Sequence, residues 1–247
     1  MRGAGGAAQL PSGKEVAAMY FRQIADRSDG ALTYVLGNLA AQEAVVIDPA
    51  PRQRAVVQAL LAERKLALRW ILYTQDHDGG GDAAMPTLAG AQAGAVGIVG
   101  GGDRAGGVQR VGDGDTVTFG DEVLHVLATP GHTAGSVSYL WRDRLFCGDA
   151  LELGGRGPAI GPGADAGQLY DSVTQKLFTL PGETLVFPGH TRRGRTVSTI
   201  AEERLHNPHF AGRTRDAFVA ACSRRASDSS RNRNAGAARR TVARSAA

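Results

Sequence analysis

One stretch decides how this sequence folds: Thr129-Pro130-Gly131-His132-Thr133-Ala134-Gly135-Ser136. It follows the apolar run 123–128, which predicts a β-strand ending at a polar loop that carries His132. Three other apolar runs stop in a similar way, at Thr74-Gln75-Asp76-His77, at Gly148-Asp149 and at Pro188-Gly189-His190. If these strand ends meet at one edge of a sandwich, they bring together the imidazole and carboxylate groups that bind zinc or iron.

The remaining runs predict the architecture around those strand ends. Short β-branched runs separated by Gly, Asp and Pro predict strands over 31–39, 44–48, 68–73, 96–99, 108–111, 116–119, 123–128, 136–141, 145–147 and 184–187. Helical spacing of apolar residues predicts helices over 53–65, 165–180 and 196–205. Two β-rich halves, each followed by helices, predict an α/β (α+β) fold in which two mixed sheets stack and the helices cover the outer faces.

Positive charge is concentrated at the C-terminal end of the chain. The whole chain carries +4; seven Arg after residue 221 and the single Asp228 give this end +6, so the preceding residues carry −2. We expect residues 1–14 and 223–247 to be disordered extensions of a folded domain over 15–222. No aromatic residue is interleaved with the terminal Arg, so we expect no nucleic-acid partner.

The composition also bears on location. No apolar run is long enough to span a membrane, and the first 14 residues contain no apolar signal region, so we expect no membrane partner. Cys147 and Cys222 allow at most one disulfide, which favours a reducing compartment. The expected location is the cytoplasm, and the oligomeric state stays open, with a homodimer as one option.

The order of the candidate ligands resembles the metallo-β-lactamase superfamily. The His132 motif, then Phe146-Cys147-Gly148-Asp149-Ala150-Leu151, then Phe187-Pro188-Gly189-His190 match that superfamily's third His, bridging Asp and last His. The stretches 19–23, 44–49, 169–173, 176–181 and 194–200 are similar to persulfide dioxygenases in particular. The resemblance covers about residues 19–220 and implies an αββα sandwich.

The resemblance implies an enzyme that uses one Fe(2+) ion and O2 to oxidise glutathione persulfide, or a related low-molecular-weight thiol, to sulfite and glutathione. Two His and one carboxylate hold iron in such enzymes, and His132 and Asp149 match two of these positions. The third iron ligand, a His in the family, can be aligned with this sequence in two ways. Aligned from Thr74, Gln75 replaces the first His of the family motif and His77 matches its second. In the other register, a three-residue deletion removes both leading His and aligns Asp76-His77 with the end of the motif. Together with His190, these residues complete the candidate metal ligands.

Two further departures surround the same site. The family's Arg-rich segment after the bridging Asp is replaced here by 154–160, and its Asp-Tyr after the last His by Thr191-Arg192. Three hypotheses remain open. The chain is an active persulfide dioxygenase with a weakened iron site, a non-catalytic member that binds a thiol ligand or a partner protein, or a glyoxalase-II-like thioester hydrolase that uses Zn(2+).

Overall fold

The computed structural model describes residues 19–75, 96–100, 108–154, 164–191 and 194–224, and in these ranges the chain forms two six-stranded sheets. The first sheet contains, in spatial order, β1 (Met19–Ala25), β2 (Leu32–Asn38), β3 (Glu43–Ile47), β4 (Ala67–Tyr73), β5 (Val96–Gly100) and β6 (Val108–Val111). The second contains, in chain order, β7 (Thr116–Phe119), β8 (Glu122–Ala128), β9 (Val137–Trp141), β10 (Arg144–Gly148), β11 (Leu185–Pro188) and β12 (Ser198–Thr199).

The strand directions bring the candidate ligands to one edge. In the second sheet β8, β9 and β10 are successive antiparallel neighbours, so β8 and β10 run in the same direction. β11 runs parallel to β10. The C-terminal ends of β8, β10 and β11 therefore lie at the same edge of the sheet, and these are the ends that precede His132, Asp149 and His190.

Alternate residues of the central strands face different cores. In β3, Val45 and Ile47 belong to the core between the sheets, whereas Ala44 and Val46 belong to the outer core of the first sheet. Helix α1 (Arg54–Glu63), which follows a 3-10 turn at Pro51–Gln53, covers that outer core through Val57 and Leu61. A strand buried on both faces needs apolar residues throughout, as the sequence 44–47 has.

The outer face of the second sheet is covered by three further helices, α2 (Ala166–Gln175), α3 (Ile200–His206) and α4 (215–224). Leu169, Val173, Ile200 and Phe218 from these helices pack with Leu145 and other buried residues of the sheet. The predicted stack of two mixed sheets between helical layers is therefore confirmed. Among the described residues, no helix is long and apolar enough to cross a membrane.

Several element boundaries differ from the prediction. β1 and α4 were not predicted. The helix expected over 196–205 begins at Ile200, because Ser198–Thr199 pair with β11 and the Thr199 hydroxyl accepts the Glu202 backbone N–H. The helix expected over 165–180 ends at Gln175 and is followed by a 3-10 turn at Leu177–Thr179.

The predicted extensions fall mostly outside the described ranges. Residues 223 and 224 continue α4, where the Ser223 hydroxyl donates to the Val219 carbonyl at 3.1 Å. The first two residues of the predicted C-terminal extension, 223 and 224, thus lie in this helix. Residues 1–14 and 225–247 lie outside the described residues.

Candidate metal centre

Four of the five predicted ligand positions meet around one carboxylate. Gln75, His132 and His190 all approach Asp149, which is 5% exposed and follows β10. The fifth candidate, His77, lies outside the described residues. The expectation that the strand ends converge at one edge is therefore met by the four positions that the structure describes.

Each oxygen of Asp149 has its own neighbours. Oδ1 lies 2.7 Å from Nδ1 of His190, a hydrogen bond in which the ring N–H donates to the carboxylate. Oδ2 lies 3.7 Å from Nε2 of His132. The same oxygen accepts a hydrogen bond from the Gln75 side-chain amide, Nε2 to Oδ2, at 2.5 Å.

Gln75 makes a second contact with the same residue. Its Oε1 accepts the backbone N–H of Asp149 at 3.3 Å. The two contacts run in opposite senses, so together they define which end of the amide is nitrogen and which is oxygen. Gln75 therefore presents its NH2 group, and not its carbonyl oxygen, to the Asp149 carboxylate.

Asp149 is held as an anion by its surroundings. Burial acts to raise the pKa of its carboxyl, but the hydrogen bond and charge of His190, the charge of His132 and the Gln75 hydrogen bond outweigh burial and lower the pKa below its usual value. A buried carboxylate in this state carries the negative charge that attracts a cation at neutral pH.

The backbone that carries Gln75 is fixed by a residue that the sequence analysis did not single out as functional. Asp48, at the end of β3, accepts hydrogen bonds from the backbone N–H and the hydroxyl of Thr74, both at 2.8 Å. Burial and the nearby charge of Asp149 raise the pKa of Asp48 to about 6, against the two hydrogen bonds from Thr74. An acidic residue at the end of a buried strand, followed by Pro49, was the available signal.

Close packing also fixes Thr74 from the opposite sheet. Gly148 has φ of +52°, and a Cβ at this position would lie 2.2 Å from the Thr74 hydroxyl oxygen. The Thr74 carbonyl accepts the Val137 backbone N–H at 2.8 Å. Thr74 is thus held by residues of both sheets, and Gln75 is presented from a fixed position.

The loop that carries His132 is positioned by α2. The Pro130 carbonyl accepts the Ser172 hydroxyl at 2.8 Å, and the Gly131 carbonyl accepts the Asp165 backbone N–H at 2.9 Å. Gly131 has φ of +127°, and a Cβ there would lie 2.2 Å from the backbone nitrogen of Leu169. Only glycine allows the loop to approach the helix this closely.

His190 is positioned where the two sheets join. Gly189 donates its backbone N–H to the Gly148 carbonyl at 2.8 Å, which places the turn after β11 beside the turn after β10. On the other side, Leu32 donates to the Gly189 carbonyl at 2.8 Å, and Ala31 forms an isolated β-bridge with His190. The His190 side chain is 25% exposed, whereas that of His132 is 1% exposed.

The described residues supply part of a metal-binding set. Two atoms bound to one ion at about 2.1 Å lie roughly 3.0 to 3.6 Å apart for angles of about 90° to 120°, and the 3.7 Å between His132 Nε2 and Asp149 Oδ2 is close to this range. Within the described ranges, however, no group of three or more His, Cys, Asp or Glu side chains could hold a metal ion. His132 and Asp149 suit a metal, and the amide presented by Gln75 does not complete their set.

Two other residues, Cys147 and His125, take no part in this centre. Cys147 is buried, and burial, together with the charge of Asp149, raises the pKa of its thiol, so it is a packing residue and not a nucleophile. His125 is exposed on β8. Most of 154–160 and Arg192 lie outside the described residues.

Comparison with known proteins identifies the class to which this arrangement belongs. The Metallo-beta-lactamase superfamily profile matches residues 73–190, which include all four converging positions. The structure of ETHE1 from Myxococcus xanthus has a TM-score of 0.75 and 44% identity, with coverage of 81% of this chain and 88% of that one. The fold is therefore that of a metallo-β-lactamase-superfamily protein, and the four converging positions lie within the matched segment.

Similarity to curated proteins narrows the class. The mitochondrial persulfide dioxygenases of Mus musculus and Homo sapiens are each 36% identical over 202 residues, 78% of this chain and 77% of theirs. A hydroxyacylglutathione hydrolase of Rhodospirillum rubrum is 36% identical over 177 residues, 68% of this chain and 64% of that protein. The chain belongs to the persulfide dioxygenase family of the metallo-β-lactamase superfamily, as the sequence resemblance indicated.

Proposed function

We propose that this protein uses O2 to oxidise glutathione persulfide, or a related low-molecular-weight persulfide, to sulfite and the corresponding thiol. Fe(2+) bound at His132 and Asp149 would supply the O2 chemistry; Zn(2+), which has no redox chemistry, would belong to the glyoxalase-II-like alternative. The proposal is supported by the names and coverage of the relatives and by one observation in this chain. His132 and Asp149, which match two family ligands, lie close together, buried and oriented by neighbouring residues.

The chain's own residues prepare the site for a cation. His190 donates to one Asp149 oxygen and so leaves the other directed toward His132 and Gln75. Carboxylate ligands are usually oriented by such outer hydrogen bonds, and their loss weakens metal binding about 10- to 100-fold. In this proposal His190 is a positioning residue for Asp149 and not itself an iron ligand.

The third ligand is the open part of the proposal. Gln75 could take this role only by presenting its carbonyl oxygen, and His77 remains the other candidate. A site that lacks one imidazole is expected to bind iron more weakly than a complete set of two His and one carboxylate.

The test is oxygen consumption by the full-length chain after anaerobic reconstitution with Fe(2+). We expect uptake of O2 that depends on glutathione persulfide, with sulfite as product, and loss of this activity in His132→Ala. Iron-loaded protein that consumes no O2 above the His132→Ala control would overturn the proposal. In that case, hydrolysis of S-lactoylglutathione by the zinc-loaded protein would favour the glyoxalase-II-like alternative, and its absence would favour a non-catalytic role.

The proposed location is the cytoplasm. Cys147 and Cys222 are both buried as thiols, which is compatible with a reducing compartment. Fractionation of cells that express the full-length chain tests this part of the proposal, and recovery in a membrane-bound or exported fraction would contradict it.

A further inference from the structure

The two-point contact between Gln75 and Asp149 has a consequence for metal binding. The Gln75 NH2 group lies 2.5 Å from Asp149 Oδ2, the carboxylate oxygen nearest to His132. An amide NH2 group donates hydrogen bonds and has no lone pair to offer a cation. We propose that Gln75 is a clasp on Asp149 that competes with the metal ion and must release the carboxylate before an ion binds between His132 and Asp149.

The clasp cannot simply be reversed to make Gln75 a ligand. If the amide turned by about 180°, its carbonyl oxygen would face the Asp149 carboxylate oxygen, and its NH2 group would face the Asp149 backbone N–H. One new contact would place two hydrogen-bond acceptors together and the other two donors. Both existing hydrogen bonds would also be lost. The orientation with NH2 toward the carboxylate is therefore the stable one until a cation neutralises Asp149.

The backbone beside the clasp is held in place. Thr74 donates two hydrogen bonds to Asp48, accepts one from Val137 and leaves no room for a Cβ at Gly148. Gln75 therefore releases Asp149 by rotating its side chain, without moving the strand end. Removing the amide should change metal affinity without displacing the strand end.

The clasp also stabilises the carboxylate in the absence of metal. Asp149 is 5% exposed, and a buried charge without donors is costly. The Gln75 amide and His190 together donate to both of its side-chain oxygens. We therefore expect the wild-type chain to fold without metal.

The test is the affinity of metal-free, full-length protein for Zn2+, measured by competition with a chromophoric chelator. Gln75→Met keeps the side-chain length and removes the amide, and Gln75→Ala removes the whole group. Because hydrogen bonds to a charged group are worth a factor of about ten or more, both variants should bind Zn2+ about tenfold to a hundredfold more tightly than wild type. Weaker or unchanged binding in these variants would overturn the inference, since a ligand role for Gln75 predicts weaker binding.

Two control variants make the measurement specific. His132→Ala should remove the tight Zn2+ binding, which assigns it to this site. Gln53→Ala removes a glutamine whose amide donates to the Ala25 carbonyl at 3.3 Å, away from the site, and should leave Zn2+ affinity unchanged. Tighter binding in Gln53→Ala as well would count against a specific clasp.

Thermal unfolding with and without Zn2+ provides a second measurement. Each Gln75 variant should melt at a lower temperature than wild type when metal-free and should recover on addition of Zn2+. If a variant folds only with Zn2+, the clasp is supported; if Zn2+ fails to stabilise either variant, it is refuted.

The inference rests on the proposed function only in placing a divalent ion at His132 and Asp149. If the Gln75 variants bind Zn2+ more tightly but iron-loaded wild type shows no persulfide-dependent O2 uptake, the proposed function is refuted and the clasp still stands. O2 uptake by wild type with weaker Zn2+ binding in the variants would do the reverse.

Discussion

The candidate metal centre has two halves, Gln75 from the first sheet and His132 with Asp149 from the second, and both are held by neighbouring residues although their chemistry differs. In the first half, Asp48 and the absence of a side chain at Gly148 fix Thr74. In the second half, Ser172 and the close approach of Gly131 to α2 fix the loop before His132. Yet the first half presents the amide of Gln75 and the second presents imidazole and carboxylate. The position of a strand-end loop and the ligand it offers are therefore separate properties, the first set by backbone contacts and the second by one side chain.

The largest expected effect comes from breaking the support of the second half. In Gly131→Ala, the new Cβ would lie 2.2 Å from the Leu169 backbone nitrogen, at a φ of +127° that disfavours any side chain. We expect a loss of about 3 kcal/mol in the free energy of unfolding, from overpacking and backbone strain together. Urea denaturation measures the loss.

A matched control separates packing from backbone conformation. Gly114 has φ of +83°, and a Cβ there would meet nothing within 4 Å. Gly114→Ala should therefore cost about 1 kcal/mol, from conformation alone. Equal losses in Gly131→Ala and Gly114→Ala would show that the contact with α2 does not support the His132 loop.

The next effect comes from the support of the first half and depends on pH. The pKa of Asp48 is raised from 3.8 to about 6 on folding, so the folded protein holds this proton more tightly than the unfolded chain does. The stabilisation by this proton is fully present below pH 3.8 and is lost as the pH rises through about 6. Between pH 4 and 7 we expect wild type to lose about 2 kcal/mol relative to Asp48→Asn.

Chemical denaturation at several pH values provides this comparison. Asp149 does not interfere with this comparison. Its pKa is lowered, so its contribution to the free energy of unfolding is lost only as the pH falls below the usual pKa of an aspartate, 3.8. Parallel stability profiles for wild type and Asp48→Asn across this window would contradict the assignment to Asp48.

A smaller effect is expected from making the two halves chemically alike. Gln75→His restores the imidazole of the family motif at a position that is already fixed. We expect iron affinity to rise by at least about tenfold, since even the loss of an outer partner weakens metal sites by that factor. Elemental analysis after reconstitution measures iron per chain, and equal, full occupancy in wild type and Gln75→His would show that the missing imidazole does not limit metal binding.

The smallest effect concerns one hydrogen bond of the second half. Ser172→Ala removes the hydroxyl that donates to the Pro130 carbonyl and should cost about 1 kcal/mol in the free energy of unfolding. Ser223→Ala removes an exposed hydroxyl that donates within α4 and should cost much less. If urea denaturation gives the two variants the same stability, the contact between Ser172 and Pro130 has no role in holding the His132 loop.

Most strands could be predicted from the sequence because their apolar runs are buried and bounded by turn residues. The edge strand β1 was missed because only one of its seven residues, Tyr20, is fully buried, so it has no clear alternation. Ser198–Thr199 were assigned to a helix because two residues carry no strand pattern of their own. Their pairing with Leu185 and Val186 is what makes them a strand.

The sequence by itself determined the family and the residue types at the strand ends, because the ligand motifs are local and ordered along the chain. Only the tertiary structure decided which end of the Gln75 amide faces Asp149 and that Asp48 holds the strand end beside it. Those contacts join residues 74 and 26 positions apart in the chain, and no local pattern records them. The contact between Gln75 and Asp149 forms only when the two sheets pack, and the contact between Thr74 and Asp48 only when β3 and β4 pair.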